Sequence, residues 1–406
     1  MNVYTLDHHL LKVCLEFYFL SILIDNEHRD FQRFLWYDDI SELSSENLNN
    51  LKVIAYRVCR VLFGITSSPF QLSATLIEHF NKSLDRSFKE KALKSFHVDD
   101  LISGGHSVAD THKFYTQTKS HLADASFNLR KFTSNSPELD QLVNGTESDT
   151  ETSKVLGLTW NRLTDKMTFS FEHLRRLAVD TPTKRQLLTY MASIYDPLGL
   201  LNPCIVKLKV LFQHCCRSDI SWDCVLSDDL LLEWKSMKDD LFLSAEFVVD
   251  RWCMFDDSTE SVEIHGFCDA SIKAYGACVY IKVINSDGVH LSLLTSKSRI
   301  APLKALTVPK LECAAVLCSE LITNVIHELS PFVSVSSFHC WSDSTIAVHW
   351  INGDGKGITG YVSRRIQKIR SLVSSSHWLH IDTSINPSDI LSRGCLLYTS
   401  PSPRDS

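Results

Sequence analysis

The last third of the chain alternates between a two-residue and a helical rhythm of apolar positions. Val262–Phe267 (VEIHGF), Ala274–Val283 (AYGACVYIKV, with Gly276 inside it) and Leu291–Leu294 predict three successive strands. Lys304–Ile322 predicts a helix, because Pro309 sits at its start and Leu311, Ala314, Ala315, Cys318 and Leu321 recur at helical spacing. Phe338–Ser342 predicts a fourth strand, Ser344–Ile351 a helix and Trp378–Ile381 a fifth strand; Asn386-Pro387 marks a turn into a last helix. Upstream, Thr181–Tyr190, Val206–Cys215 and Leu230–Leu241 read as helices, the last with Leu231, Trp234 and Met237 on one face. Pro197, Gly199 and Pro203 punctuate the stretch between the first two, and Asn135–Thr152, rich in Ser, Glu, Asp and Thr, reads as an exposed loop. Nearer the N-terminus, Arg60–Leu76 reads as a Phe-Gly step, a Ser-Ser-Pro turn and an amphipathic helix. Lys94–Gly105 (KSFHVDDLISGG) places two adjacent aspartates between apolar residues.

These elements set four acids in distinctive places. Asp269 ends the first strand, Glu312 lies in the first turn of the helix after the third strand, Asp343 ends the fourth strand and Asp389 opens the last helix. Acids delivered from separate elements can converge to hold two Mg²⁺ ions about 3.5–4 Å apart, one on an attacking water and one on a leaving oxygen. Mg²⁺ suits such a set because it takes hard oxygen ligands, few of them from protein. A blander reading makes Asp343, before Ser-Thr, a helix cap and Asp389, after Pro387, a helix N-terminus. Asp99-Asp100 offers a second metal-binding pair, since a tight turn projects both carboxylates into open space. Asp-Asp pairs also occur at residues 38–39, 228–229, 239–240 and 256–257, and those read as loop or surface.

The succession of three strands, helix, strand, helix, strand, helix, with acids at these points, resembles the ribonuclease H fold. The apolar-flanked Asp99-Asp100 resembles the polymerase hairpin of reverse transcriptases, with RVLFGITSSPFQLSATL, LRKFTS and KVLGLTW as neighbouring motifs. Ala192–Gln213 (ASIYDPLGLLNPCIVKLKVLFQ), Trp222-Asp223 and Ser296–Glu312 (SKSRIAPLKALTVPKLE) resemble the Pol polyprotein of BEL/Pao-type long-terminal-repeat retrotransposons. This resemblance implies a mixed α+β and α/β architecture: a reverse transcriptase palm remnant over residues 1–160, a connecting, thumb-like region over 161–255, and a ribonuclease H-like domain with a mixed five-stranded sheet over 256–394. It implies metal-binding, catalytic roles for Asp269, Glu312, Asp343 and Asp389 with two Mg²⁺ ions, and for Asp99 and Asp100 in the palm. The implied partners are RNA:DNA hybrid and other nucleic acid, with other Pol-derived subunits and no membrane. The implied location is cytoplasmic particles and the nucleus.

The chain departs from that family at one expected metal ligand. Lining up Ile22–Trp36 with the family pattern puts Cys14 where the palm's third aspartate belongs, with Glu16 at a further acid position. Losing a metal carboxylate weakens the charge stabilisation that dominates such chemistry, so no useful polymerase activity is expected. Residues 395–406 (CLLYTSPSPRDS) have no core-forming periodicity, resemble a translated assembly scar and are left out of the expected fold.

Composition adds boundaries. With 406 residues, 44% hydrophobic and 22% charged, the chain is that of a globular protein of two or three domains. A net charge of −7 disfavours nucleic acid in bulk, so local basic patches matter more. Lys297, Arg299, Lys304 and Lys310 form one candidate, and Arg364, Arg365, Lys368 and Arg370 a second that also reads as a solvated helix face. Arg57, Arg60, Arg130 and Lys131 are further candidates for phosphate contact. Thirteen cysteines include no Cys-x-x-Cys, which argues for buried free thiols. Asp256-Asp257-Ser258 is the best linker ahead of the last domain. An aspartic peptidase is excluded because no Asp-Thr-Gly or Asp-Ser-Gly triplet occurs. A decayed, non-catalytic nucleic-acid-binding remnant stands as the competing reading.

Overall fold

A computed structural model describes residues 7–395, except 17, 39–51, 146–149, 156, 219, 244–247, 302–308, 331 and 354–359. The chain divides into two compact units, residues 9–150 and residues 1–8 with 151–406.

The first unit is built on a four-stranded antiparallel sheet. Its strands are β1 (His9–Glu16), β4 (Phe96–His97), β5 (Asp100–Gly105) and β6 (Asn128–Ser134), in the order β4-β5-β1-β6. β2 (Arg33–Tyr37) and β3 (Val53–Arg57) form a separate ribbon. β1 shows the alternation that fixes register: Leu11, Val13 and Leu15 point into the core, while Lys12, Cys14 and Glu16 face the other way. Helices α1 (Ser68–Phe80), α2 (Arg86–Ser95) and α3 (Val108–Ala123) supply Leu72, Leu76, Phe80, Ala92, Phe114 and Leu122 to that core. The stretch expected to be a loop after β6 instead forms α4 (Pro137–Asn144). Its polar composition hides a helix start: Ser136 accepts from the Leu139 backbone N–H, Pro137 occupies the first turn, and Asp140 accepts from the Ser134 N–H in the interior.

The second unit holds two sheets. β7 (Thr152–Val155), β8 (Leu158–Asn161) and β9 (Lys166–Thr168) form a meander that pairs with β10 (Val248–Asp250), so Lys154–Trp160 lies here and not in the sheet of β1. A guanidinium pins it. Arg251, whose side chain is 0% exposed, donates to both Asp165 carboxylate oxygens at 2.7 and 2.6 Å and to the Asp7 carbonyl at 2.8 Å. α5 (Glu172–Leu177), α6 (Lys184–Ala192), α7 (Asn202–Arg217) and α8 (Asp228–Leu243) follow. Pro203 lies in the first turn of α7, and the Asp196 carboxylate accepts the Gly199, Leu200 and Leu201 N–H groups ahead of it.

The larger sheet comprises β11 (Ser261–Ala270), β12 (Ala274–Asn285), β13 (Gly288–Ile300), β14 (Ser337–Ser342) and β15 (Trp378–His380). Its order is β13-β12-β11-β14-β15, antiparallel across the first three strands and parallel from β11 through β14 to β15. This is the mixed five-stranded sheet expected from the sequence. α9 (Pro309–Leu329) lies across one face, packing Ala315, Cys318, Ile322 and Val325 against Ile264 and Val279. α10 (Thr345–Asn352), α11 (Gly360–Leu372) and α12 (Asp389–Arg393) complete the unit. Asp256, expected in a linker, forms an Asx turn directly before β11, its carboxylate accepting from the Ser258 N–H and hydroxyl.

Candidate active site

Three of the four acids, Asp269, Asp343 and Asp389, lie at one end of the large sheet within electrostatic reach of one another, although among the described residues no group of three acids, histidines or cysteines is drawn close enough to ligate one metal ion. Asp269 is the ninth residue of β11, and 6% of its surface is exposed. Asp343 follows the last residue of the neighbouring parallel strand β14, whose Ser342 lies beside Cys268. Asp389 is the first residue of α12. Their mutual influence is electrostatic: burial foremost, then the Asp343 and Asp389 carboxylates, push Asp269 up to about 6, against the pull of a hydrogen bond from Ser392. Glu312 lies in the first turn of α9, as expected; its side chain is outside the described residues.

Local chemistry holds α12 over this sheet end. Gly276 pairs with Asp269 across β11 and β12, and a Cβ at Gly276 would collide with that of Leu391. Only a residue without a side chain lets α12 approach this closely. Ser298 Oγ donates to the Leu391 carbonyl (2.9 Å), Ser271 Oγ to the Ser392 carbonyl (2.8 Å), and Asn386 Nδ2 to the Cys268 carbonyl (3.2 Å). Asn386 also accepts from the Ser388 N–H and hydroxyl, which fixes the Asn-Pro turn. Of the blander readings, the cap fails for Asp343, since Ser344 caps α10 by accepting from Ala347 N–H, while Asp389 does stand at a helix N-terminus, in the first turn of α12. Asp389 ion-pairs with Arg393 one turn along, at 2.7 Å. Ser392, Arg393 and Gly276 carry the geometry here; the first two had no assigned role in the sequence, and Gly276 was read there only as a glycine inside a strand.

The second acid pair lies in the first unit. Asp99 occupies the turn between β4 and β5, and Asp100 opens β5. Val98, before them, is held at φ +57°, a conformation that costs a β-branched residue of order 1–3 kcal/mol. Cys14 is the strand partner of Asp100, and its thiol donates to Asp100 Oδ1 at 2.8 Å. Burial first, then this bond and the charge of Asp100, push the Cys14 thiol up to about 12. Lys12, two residues earlier on the same face, ion-pairs with Asp100 Oδ2 at 3.1 Å. Tyr18 is raised by burial and by Asp99 and Asp100, and hydrogen-bonds Asp99. Glu16 turns to Arg130 at 3.0 Å and Asn128 at 2.9 Å. An ammonium and a neutral thiol thus hold Asp100, and no local pattern in the chain pointed to Lys12's part.

The basic candidates separate. Arg370 donates to the carbonyls of Trp350, Ile351 and Gly353 behind α10, and Lys368 pairs with Glu320, so half of the second patch is structural. Lys297 and Arg299 remain exposed along the edge strand β13; the Lys304 and Lys310 side chains are outside the described residues. Arg57 pairs with Asp30 at 3.3 Å and Arg60 donates to the Ser21 carbonyl at 3.2 Å, while Lys131 stays exposed at the bulge between β1 and β6.

A palm-like antiparallel sheet with an acidic hairpin, followed by a mixed five-stranded sheet with acids at one end, defines the class: this is a reverse transcriptase and ribonuclease H fold. Solved structures agree. A foamy viral protease-reverse transcriptase in complex with RNA/DNA hybrid matches with a TM-score of 0.53 and 13% identity, over 99% of this chain and 47% of that one. A foamy viral protease-reverse transcriptase dRH bound to double-stranded DNA matches with a TM-score of 0.55 and 12% identity, over 95% of this chain and 59% of that one. A further complex with double-stranded DNA gives 0.53 and 12%, over 95% and 70%. The chain thus spans about half the length of the first of these structures. Residues 183–344 match the family model of the Pao retrotransposon-like RNaseH-like domain. It takes in Asp269, Glu312 and Asp343 and stops short of Asp389. No protein of curated function matches the chain.

Proposed function

We propose that the chain is a fragment of a BEL/Pao-type retrotransposon Pol polyprotein. In this reading its ribonuclease H-like domain cleaves the RNA strand of RNA:DNA hybrids, and its palm does not polymerise. The observation that carries the nuclease reading is the convergence of Asp343 and Asp389 on a buried Asp269. Evolution seldom gathers like charges in a protein interior without a compensating cation, since each raises the cost of the others. The donor set fits Mg²⁺: hard carboxylate oxygens, few of them, on rigid elements. Asp269, Glu312, Asp343 and Asp389 would hold the ions, with Arg393 keeping Asp389 Oδ1 and leaving its second oxygen outside that pair. Two Mg²⁺ ions, when bound, supply the positive charge that offsets the phosphate and favours ionisation of water. Lys297 and Arg299, exposed on β13, are suited to phosphate contact. A hybrid would be read by shape and 2′-hydroxyls, not base sequence; the RNA/DNA hybrid and double-stranded DNA bound in the foamy viral structures support that class of partner.

The palm supports the second reading, a non-catalytic remnant, for its own half: Cys14 stands beside Asp100 in place of a third carboxylate, and Lys12 already supplies Asp100 with a cation. One experiment tests both halves. A labelled RNA:DNA hybrid is incubated with Mg²⁺ and the protein or its Asp269→Asn variant, alongside primer extension on a primed template. RNA cleavage that falls at least about a hundredfold in the variant is expected, with no extension by either. Absent cleavage would leave the remnant reading for the whole chain, and robust extension would refute the argument from Cys14.

A further inference from the structure

We propose that Ser392 is a positioning residue for the candidate metal site, its hydroxyl setting which lone pairs of Asp269 face that site. This rests on the nuclease reading of that site. Ser392 is 1% exposed and lies three residues beyond Asp389 on α12. Its Oγ donates to Asp269 Oδ2. Ser392 Oγ also lies 3.2 Å from the Asp389 carbonyl, and the Ser392 carbonyl in turn accepts from Ser271 Oγ, just past Asp269 on the sheet. One side chain therefore ties the first acid of the site to the helix that carries the last.

The physical consequence concerns geometry. A buried carboxylate can rotate about its last torsion, and each orientation presents different lone pairs. A hydroxyl donated to Oδ2, together with the Ala270 backbone N–H that also bonds this carboxylate, selects one rotamer and so sets which lone pairs face the site. Hydrogen bonds that orient a ligand in this way are commonly worth a factor of about 10–100 in metal affinity. Ser336 gives the contrast. Its Oγ accepts from the Val262 N–H at the opposite end of β11, so it serves the fold without touching an acid of the site.

The test measures binding apart from catalysis. Mn²⁺ binding to the full chain is followed by electron paramagnetic resonance without substrate, beside thermal melting and hybrid cleavage over a Mg²⁺ series. Ser392→Ala is expected to bind Mn²⁺ about tenfold or more weakly and to need correspondingly more Mg²⁺ for half-maximal cleavage, with cleavage recovering at saturating metal. Ser392→Thr, which keeps the hydroxyl, should recover most of the affinity. Ser336→Ala should lower the melting temperature with Mn²⁺ affinity within about twofold of the parent. Unchanged Mn²⁺ affinity in Ser392→Ala, or an equal loss in Ser336→Ala, would overturn the proposal. A parent protein that binds Mn²⁺ but cleaves no hybrid would defeat the nuclease reading alone, leaving Ser392 to be judged by its variants. A parent that binds no Mn²⁺ would defeat both.

Discussion

At the residue scale, Asp269 shows what the site costs the fold. Its carboxyl titrates at about 6 in the folded protein, raised by burial and by two neighbouring carboxylates, against roughly 3.9 when the chain is unfolded. A group whose folded pKa is raised binds a proton more tightly in the native state. Between about pH 4 and pH 6 the native state therefore keeps a proton that the unfolded chain has released. Stability contributed by the protonated form is present in full below about pH 4, is lost as the pH rises towards 6, and stays lost above it. Asp269→Asn removes the charge and keeps the shape. In EDTA, urea titrations should show the variant more stable than the parent at pH 7.5, with the gap closing towards pH 4. Mg²⁺ should narrow the gap at pH 7.5, because only the parent gains from binding it. Parallel stability curves across the whole pH range would show that Asp269 does not feel its neighbours.

At the scale of elements, the decisive contact is α12 against β11 and β12, and Gly276 permits it. A methyl group there would have to displace the Leu391 side chain or the helix carrying Asp389. Gly276→Ala should cost about 1–3 kcal/mol in stability, the usual range for overpacking. It should lower hybrid cleavage by more than the stability loss explains, since Asp389 moves with its helix. A denaturation midpoint and a cleavage rate matching the parent would show that α12 is not held where Gly276 puts it. How far such contacts were legible depended on their range along the chain. β11, β12 and α9 write their faces into alternation and helical spacing, so Asp269 and Glu312 could be assigned to strand end and helix start without coordinates. The Asn386-Pro387 turn was an equally local signal, whereas the glycine at 276 was visible but the helix it admits was not. α4 was missed because its acidic, Ser-rich composition outweighed the short Ser136-Pro137 start signal. The place of Lys154–Trp160 was not legible, because β9 of its meander pairs with Val248–Asp250, far along the chain, and periodicity carries no information about partners. Ser392 and Lys12 escaped for a similar reason: their chemistry is a hydrogen bond and an ion pair to residues distant in sequence.

At the scale of the whole molecule, the two units have separate cores and, on the proposed reading, opposite relations to divalent cations; the chain carries a built-in way to tell them apart. One core gathers Leu11, Val13, Leu72, Phe80 and Phe114, the other Ile264, Val279, Cys318 and Trp378. Of the eight tryptophans, only Trp36 falls in residues 9–150; the remaining seven belong to the other unit. Tryptophan fluorescence therefore follows the unfolding of the second unit almost alone, while far-ultraviolet circular dichroism follows both. In the second unit three acids lie within electrostatic reach of one another, and the ion pair described for them is that of Asp389 with Arg393. In the palm, Asp100 already has Lys12 at 3.1 Å and the Cys14 thiol at 2.8 Å, so an added cation gains little there. Mg²⁺ at ten times its dissociation constant stabilises a binding unit by about 1.4 kcal/mol and leaves a non-binding one unmoved. Adding Mg²⁺ should raise the midpoint seen by fluorescence and leave in place a circular dichroism component that belongs to the palm. The double variant Lys12→Ala, Cys14→Asp removes the internal cation and adds the third carboxylate. It should be destabilised in EDTA by repulsion between the introduced carboxylate and those of Asp99 and Asp100, and its palm component should then respond to Mg²⁺ as the second unit does. If the parent's palm component shifts with Mg²⁺ as strongly as its fluorescence, the ion pair with Lys12 does not close the palm to metal.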